Sequence, residues 1–175
     1  KEQHGSMDDT TLRKLEDRLT YLRSLDQRRQ EVKKAVDGQG KLTHKNGDIY
    51  YGTWSKDRRQ GQGSFTTADG FKYEGSWVAG RMEGTGSITY PDGSTYQGNW
   101  VAGVISGEGR ATYKDGRVYE GSFKQAKPDG KGLMTYPDGY RYEGDWVAGQ
   151  RQGIGSAVYA DGSLYYFMDP DTYEQ

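Results

Sequence analysis

The side chains able to do chemistry in this sequence are few and poorly spaced for it. There are two histidines and no cysteine. His4 falls in the opening KEQHGSM, and His44 lies just before the turn pair Asn46-Gly47. Neither has a second histidine at ligand spacing, so no metal is expected. Without cysteine there is no thiol nucleophile, no disulfide and no Cys-held zinc or iron–sulfur centre. Ser, His and Asp occur, but no G-x-S-x-G elbow presents a serine. Glu74, Glu120 and Glu143 recur in Y-E-G, where paired carboxylates would suit acid–base work. Strand alternation instead sends them to the face opposite the neighbouring Tyr and Trp, as a solvated ladder. Pairs of G-x-G suggest phosphate loops, yet they repeat six times inside strand-like runs and never open a helix. No catalytic residue and no cofactor is therefore expected.

The elements must position something else. Mean hydropathy is −1.04 and 32% of residues are hydrophobic, a balance that in an aromatic-poor chain implies disorder. Here there are 15 Tyr, 4 Trp and 4 Phe, so order has to come from aromatic packing. A formal charge of −1 offers no footprint for nucleic acid. No apolar run approaches the ~20 residues that span a bilayer. No signal-peptide pattern opens the chain. The absence of cysteine is compatible with cytosol or periplasm, and the cytoplasm is favoured.

One period organises most of the chain. Tyr50, Tyr73, Tyr96, Tyr119, Tyr142 and Tyr165 stand 23 residues apart, as do the Asn/Asp-Gly pairs from Asn46-Gly47 to Asp161-Gly162. The glycine pairs 38/40, 61/63, 84/86, 107/109, 130/132 and 153/155 keep the same interval, and Trp54, Trp77, Trp100, Phe123 and Trp146 complete it. In Y-x-G-x-W the three named residues share one face of a strand. The following G-x-G-x-Φ-x-Y run alternates likewise, placing Gly84, Gly86, Ile88 and Tyr90 together. Two such strands make a hairpin, and Asn-Gly or Asp-Gly turns the chain into the next unit. The glycine between Tyr and Trp leaves a notch over which a ring from the adjoining strand can lie. The first unit is a half (Gly38–Gly47). The last is broken, with Phe167 and Asp169 where Gly and Trp are due, as an array's end requires.

Residues 8–36 differ in kind. They hold no Gly or Pro, and Leu12, Leu15, Leu19 and Leu22 step along one helical face that Leu25, Val32 and Val36 extend. The expected organisation is residues 1–7 as a disordered tag remnant, 8–37 an amphipathic helix, 38–166 the β-array and 167–175 a tail.

These units closely resemble MORN repeats, Y-x-G-x-W-x-x-G-x-x-x-G-x-G. Tyr73–Gly86, Tyr96–Gly109 and Tyr142–Gly155 match throughout. Asp57 and Ala126 replace the second motif glycine in two other units, and Phe123 replaces Trp in one of them, which leaves the shape of those hairpin turns open. The resemblance implies a mainly β fold: one elongated antiparallel sheet of consecutive hairpins, curved into a groove, with one long α-helix before it. It also implies scaffolding, dimerisation and binding of partner segments, with a debated lipid role and no catalysis. Residues 12–32 with Gln39–Thr43 also resemble a helical stretch of Tex-type transcription accessory proteins. That stretch lacks their nucleic-acid-binding domains, so no RNA binding is inferred.

A single-layer sheet leaves its aromatic face uncovered. Tyr73, Trp77, Tyr96, Trp100, Tyr119, Phe123, Tyr142 and Trp146 are read as structural, with the least covered doubling as a binding surface. Tyr90, Tyr113, Tyr136 and Tyr159 are the expected contacts for a docked helix. The leucine face has three candidate seats: its own sheet, a second copy in a homodimer, or an outside protein. Residues 8–36 carry a net +2 and residues from 37 onward a net −3, so the sheet gains nothing from an anionic leaflet. The function expected is a non-catalytic protein-interaction scaffold whose groove receives a helix. The alternatives are a peripheral lipid-binding module or an accessory module of a larger enzyme.

Overall fold

A computed structural model of the chain describes residues 9–28 and 37–168. One helix, α1 (Asp9–Arg28), precedes twelve strands: β1 (Gly38–Thr43), β2 (Ile49–Ser55), β3 (Arg58–Thr66), β4 (Lys72–Val78), β5 (Arg81–Thr89), β6 (Thr95–Val101), β7 (Val104–Thr112), β8 (Val118–Lys124), β9 (Lys127–Thr135), β10 (Arg141–Val147), β11 (Gln150–Val158) and β12 (Leu164–Phe167). All twelve form one open antiparallel sheet in which every strand pairs only with its neighbours in sequence. The expected ladder of hairpins is therefore the fold.

Two kinds of turn alternate along the two rims. Within a unit the loop has two residues, both at positive φ: Ala79 at 49° and Gly80 at 86°, Ala102 at 50° and Gly103 at 84°. That is the type I′ hairpin, whose twist matches its strands. The two units lacking the motif glycine keep it: Asp57 and Ala126 both sit at φ 62°. Each turn is also tied backwards. Gly80 N–H donates to the Arg59 carbonyl and Ala126 N–H to that of Ile105. Ala79 N–H donates to Gln60 Oε1, and Ala102 N–H to Glu83 Oε2. Between units, Tyr90 and Ser94 close a loop in which Gly93 takes positive φ and Asp92 accepts from the Ser94 N–H.

Strand register sets one glycine of each strand opposite one glycine of the next. The row runs Gly40, Gly52, Gly63, Gly75, Gly86, Gly98 and onward to Gly155, one residue per strand from β1 to β11. Across it lie the motif tyrosines. A Cβ on Gly52 would stand 2.5 Å from the Gly63 Cα and 2.6 Å from the Tyr50 hydroxyl. The ring that fills the notch therefore comes from the glycine's own strand and reaches across to the next one, not from the adjoining strand alone.

Immediately past this row each hairpin bulges. Gly75 faces Gly86 but Trp77 faces Met82, so the single residue Ser76 opposes three. The bulge breaks strict alternation. The first glycine of each G-x-G pair takes positive φ there, as Gly84 does at 82°, and its open side meets Ser76 on the opposite face. Gly84 thus does not share the face of Gly86, Ile88 and Tyr90.

Gly86→Ala should cost about 3 kcal/mol or more, because overpacking against a fixed neighbour exceeds the ordinary penalty. Gly93→Ala, which meets no atom within 4 Å and carries only the cost of positive φ, should cost about 1 kcal/mol. Chemical denaturation of both checks the contrast; equal losses contradict the packing. Ala126→Gly relieves a left-handed alanine, worth roughly 1 kcal/mol, but removes a methyl buried in the core, worth about 0.8 kcal/mol, so stability should be nearly unchanged.

Candidate functional site

The motif rings interlock edge to face into one rail. Tyr50 meets Trp54 at 4.8 Å and Trp77 at 5.3 Å between centroids; Tyr73 meets Trp77 and Trp100, both at 5.2 Å. Tyr96 continues to Trp100 and Phe123, Tyr119 to Phe123 and Trp146, and Tyr142 to Trp146 and Phe167. Interplanar angles from 66° to 89° are the arrangement the ring quadrupole favours. Their polar atoms are served locally. Tyr50, Tyr73, Tyr96 and Tyr119 donate to the carbonyls of the bulge residues Thr53, Ser76, Asn99 and Ser122, each at 2.9 Å. Trp77 Nε1 donates to the Gly63 carbonyl and Trp146 Nε1 to that of Gly132. Tyr73, Trp77, Tyr96, Trp100, Tyr119, Phe123, Tyr142 and Trp146 are all buried.

A second aromatic line follows the Asp-Gly rim. Tyr90 packs on Phe71 at 5.7 Å, and Tyr113 lies under the Arg117 guanidinium. Tyr136, Tyr140 and Tyr159 form a chain at 5.1 and 5.0 Å, and Arg151 donates to the hydroxyls of Tyr136 and Tyr140. Tyr90 and Tyr113 are buried, Tyr136 is half-buried and Tyr159 is exposed.

Helix α1 lies on this ring face at its N-terminal end. Leu15, Leu19 and Leu22 are buried against Phe65, Phe71, Tyr73, Met82 and Ile88. Two polar contacts fix its position. Arg18 forms an ion pair with Asp48, and Tyr21 accepts from Asn46 Nδ2 at 2.8 Å. Asp48 is fully buried and well served: its carboxylate also accepts from the Ala68 N–H and from Asn46 Nδ2. Of the three seats considered for the leucine face, the chain's own sheet is the one occupied. Leu12 and Leu25 are on α1, but their side chains, and all of Val32 and Val36, fall outside the described residues.

Five successive matches to the MORN repeat model cover residues 50–72, 73–95, 96–116, 119–139 and 142–164. The chain belongs to the MORN-repeat family. Ahead of the MORN array, residues 1–37 match the Tex-like protein N-terminal domain, a match that takes in the first seven residues as well as the helix. Protein YhgF of Escherichia coli is 50% identical over 56 residues, which is 32% of this chain and 7% of that protein. Transcriptional accessory protein Tex of Neisseria gonorrhoeae is 51% identical over 43 residues, 25% of this chain and 6% of that one. This chain therefore spans only a small fraction of these relatives. Among solved structures, the SAS-4 TCP domain of Drosophila melanogaster, in complex with a proline-rich motif of Ana2, superposes with a TM-score of 0.49 at 13% identity, covering 75% of this chain and 72% of that one.

Of the twelve aromatics singled out from the MORN pattern, Tyr73 alone lines the hollow beneath the helix. The others there are Phe65, Thr67, Phe71, Met82 and Ile88, and the polar clamps are Asn46 and Asp48. Ile88 was already placed on this face and Phe65 shares its recurring apolar position, whereas Phe71, Met82 and Asp48 were missed because they occupy variable positions. Phe71 corresponds to Asp48, Ser94 and Arg117 in other units, and Met82 to Arg59, Ile105 and Pro128. The available signal was register: Met82 faces Trp77 across the hairpin, so its side chain shares the ring face. Among the described residues no group of three His, Cys, Asp or Glu could hold a metal ion.

Burial leaves a mark on the tyrosines. It pushes the Tyr50 hydroxyl up to about 12 against the Arg59 charge, and raises Tyr73, Tyr90, Tyr96, Tyr113 and Tyr119 as well. Each holds its proton more tightly folded than unfolded. The stability this represents is complete below the ordinary value of 10.0 and is lost as pH rises through the folded value, about 12 for Tyr50. Alkaline titration should therefore show phenolate absorbance of the rail appearing together with loss of sheet circular dichroism, in one cooperative step above pH 10. Rail ionisation with the sheet intact contradicts this.

Proposed function

We propose that this MORN-repeat protein is a non-catalytic scaffold that recognises protein, and that its ring face takes an amphipathic helix. The observation that carries the reading is α1 seated by Leu15, Leu19 and Leu22 on Phe65, Phe71, Met82 and Ile88. The physics is that of helix-in-groove recognition. Anchors three and four residues apart enter an apolar face, while polar contacts at its rim set direction. Most helical stability in proteins comes from packing an amphipathic face, so α1 depends on such a seat. Fully burying three leucines contributes roughly 1.5–3 kcal/mol each before ordering costs.

In this reading α1 is the resident occupant, and a partner helix, from a second copy or another protein, displaces it. Tethering favours the resident, because its effective concentration on the sheet is high. Continuing from the helix along the ring face, the half-buried Tyr136 and Tyr140 and the exposed Tyr159 supply further aromatic contact area.

The test uses the full chain. In the variant Leu15→Ala/Leu19→Ala/Leu22→Ala, the seat should be vacated while the sheet persists. A labelled peptide of residues 9–28 should then bind this variant saturably and compete poorly for the parent. Equal weak binding to both proteins, or none to the vacated sheet, defeats the proposal.

A further inference from the structure

The two outer strands of the sheet are halves of one unit. β1 carries Gly38-x-Gly40-x-Leu42, the second strand of a repeat, and no described strand pairs with its outer side. β12 carries Tyr165, the first strand of a repeat, and no described strand lies beyond it. Elsewhere each motif tyrosine has the bare glycine backbone of the following strand beside it, and Tyr50 through Tyr142 are at most 2% exposed. Tyr165 is 58% exposed. Its neighbours Leu164 and Tyr166 are also open, at 51% and 68%.

We propose that the β12 edge of one copy pairs with the β1 edge of a second copy, carrying the 23-residue register across the junction. The pairing follows from those already present. Tyr50 faces Phe65 and Tyr142 faces Ala157, so Tyr165 falls opposite Leu42 of the next copy, the residue 23 before Phe65. By the same step Leu164 meets Thr43, Tyr166 meets Lys41 and Phe167 meets Gly40.

The side chains fit that register. Phe167 stands where the motif has glycine, and it faces Gly40, which has no side chain to oppose it. Lys41 already lies opposite Tyr51 within its own chain. The junction sets Tyr166 on its other side, so its ammonium has an exposed ring on each flank. Tyr51 and Tyr166 occupy the back-face position held in the inner units by Glu74, Gln97, Glu120 and Glu143. An aromatic stands there only in the first and last first-strands, at the two ends of the described sheet. The named contacts of α1 lie on the ring face and at Asn46 and Asp48, away from the outer side of β1. The proposal therefore stands independently of the groove reading.

The junction joins unlike edges, so it leaves a free edge at each end and builds open chains or rings instead of a closed pair. Four facing pairs make a small interface, so association is weak and reversible.

Light scattering of the 175-residue chain should show mass rising with concentration. Two variants separate the mechanism. L164D/Y166D blocks β12 and K41D/T43D blocks β1, all at exposed or edge positions. Each alone should be monomeric, and their mixture should give a dimer and nothing larger, since one intact edge of each kind remains. A parent monomeric at every soluble concentration, a single variant that dimerises alone, or a mixture that stays monomeric overturns the proposal. Because the chain has no cysteine, a second reading is available if an acidic variant fails to fold. Chains carrying L164C mixed with chains carrying T43C should form the mixed disulfide under a mild oxidant. Crosslinking of L164C to itself as readily as to T43C counts against the head-to-tail junction.

Discussion

The structure depends on a strip of backbone without side chains. From Gly40 to Gly155 each strand contributes one glycine to a row crossing the sheet, and from Gly52 onward the motif tyrosines occupy the volume that Cβ atoms would take. A second layer ordinarily covers the apolar face of a sheet. Here the rings lie down along that face and shield one another edge to face. The bulge belongs to the same device. It takes one residue of each first strand out of the hairpin ladder, and from Tyr50 to Tyr119 the tyrosine hydroxyl reaches the carbonyl of that residue at 2.9 Å. Glycine, tyrosine, tryptophan and bulge are therefore one constraint, which explains why they share one period.

What was legible in the sequence follows from that coupling. Recurrence exposes any residue the ladder needs in every unit, so the hairpins, their order, the rail and the solvated glutamates were all readable. Gly84 was misplaced because period-2 reasoning assumes one residue against one, and the bulge sets three against one. The helix seat was invisible for a different reason. Phe71, Met82 and Asp48 stand at positions whose identity changes from unit to unit, and a search for repetition discards such positions as noise. In a repeat protein the recurring residues build the surface. The exceptions, once register says which face they share, mark where something specific sits.

Asp48 illustrates the point. Its equivalents are Phe71, Ser94, Arg117, Tyr140 and Ser163, so nothing in the repeat calls for a carboxylate. A buried unpaired charge is costly, yet this one accepts from Asn46, from the Ala68 backbone and from Arg18 on α1. Two of those partners belong to the sheet and are present whether or not the helix is seated. The carboxylate is thus held ready by the first unit and completed by the helix, which gives α1 a defined position along an otherwise periodic face.

Face and edge are also physically separate resources. Side chains project from the sheet, so the ring face selects partners by shape and apolar area. Backbone N–H and C=O groups project in its plane, so the edges select for a strand. A helix on the face consumes none of the edge's hydrogen-bonding groups, and an added strand covers none of the hollow over Phe65 and Met82. The array leaves its period in different ways at the two places: at the face by changing single side chains, such as Phe71 and Asp48, and at the edges by dividing a unit between β1 and β12. The first change gives the ring face one site unlike its neighbours along the ladder, while the second makes the two outer strands complementary in register.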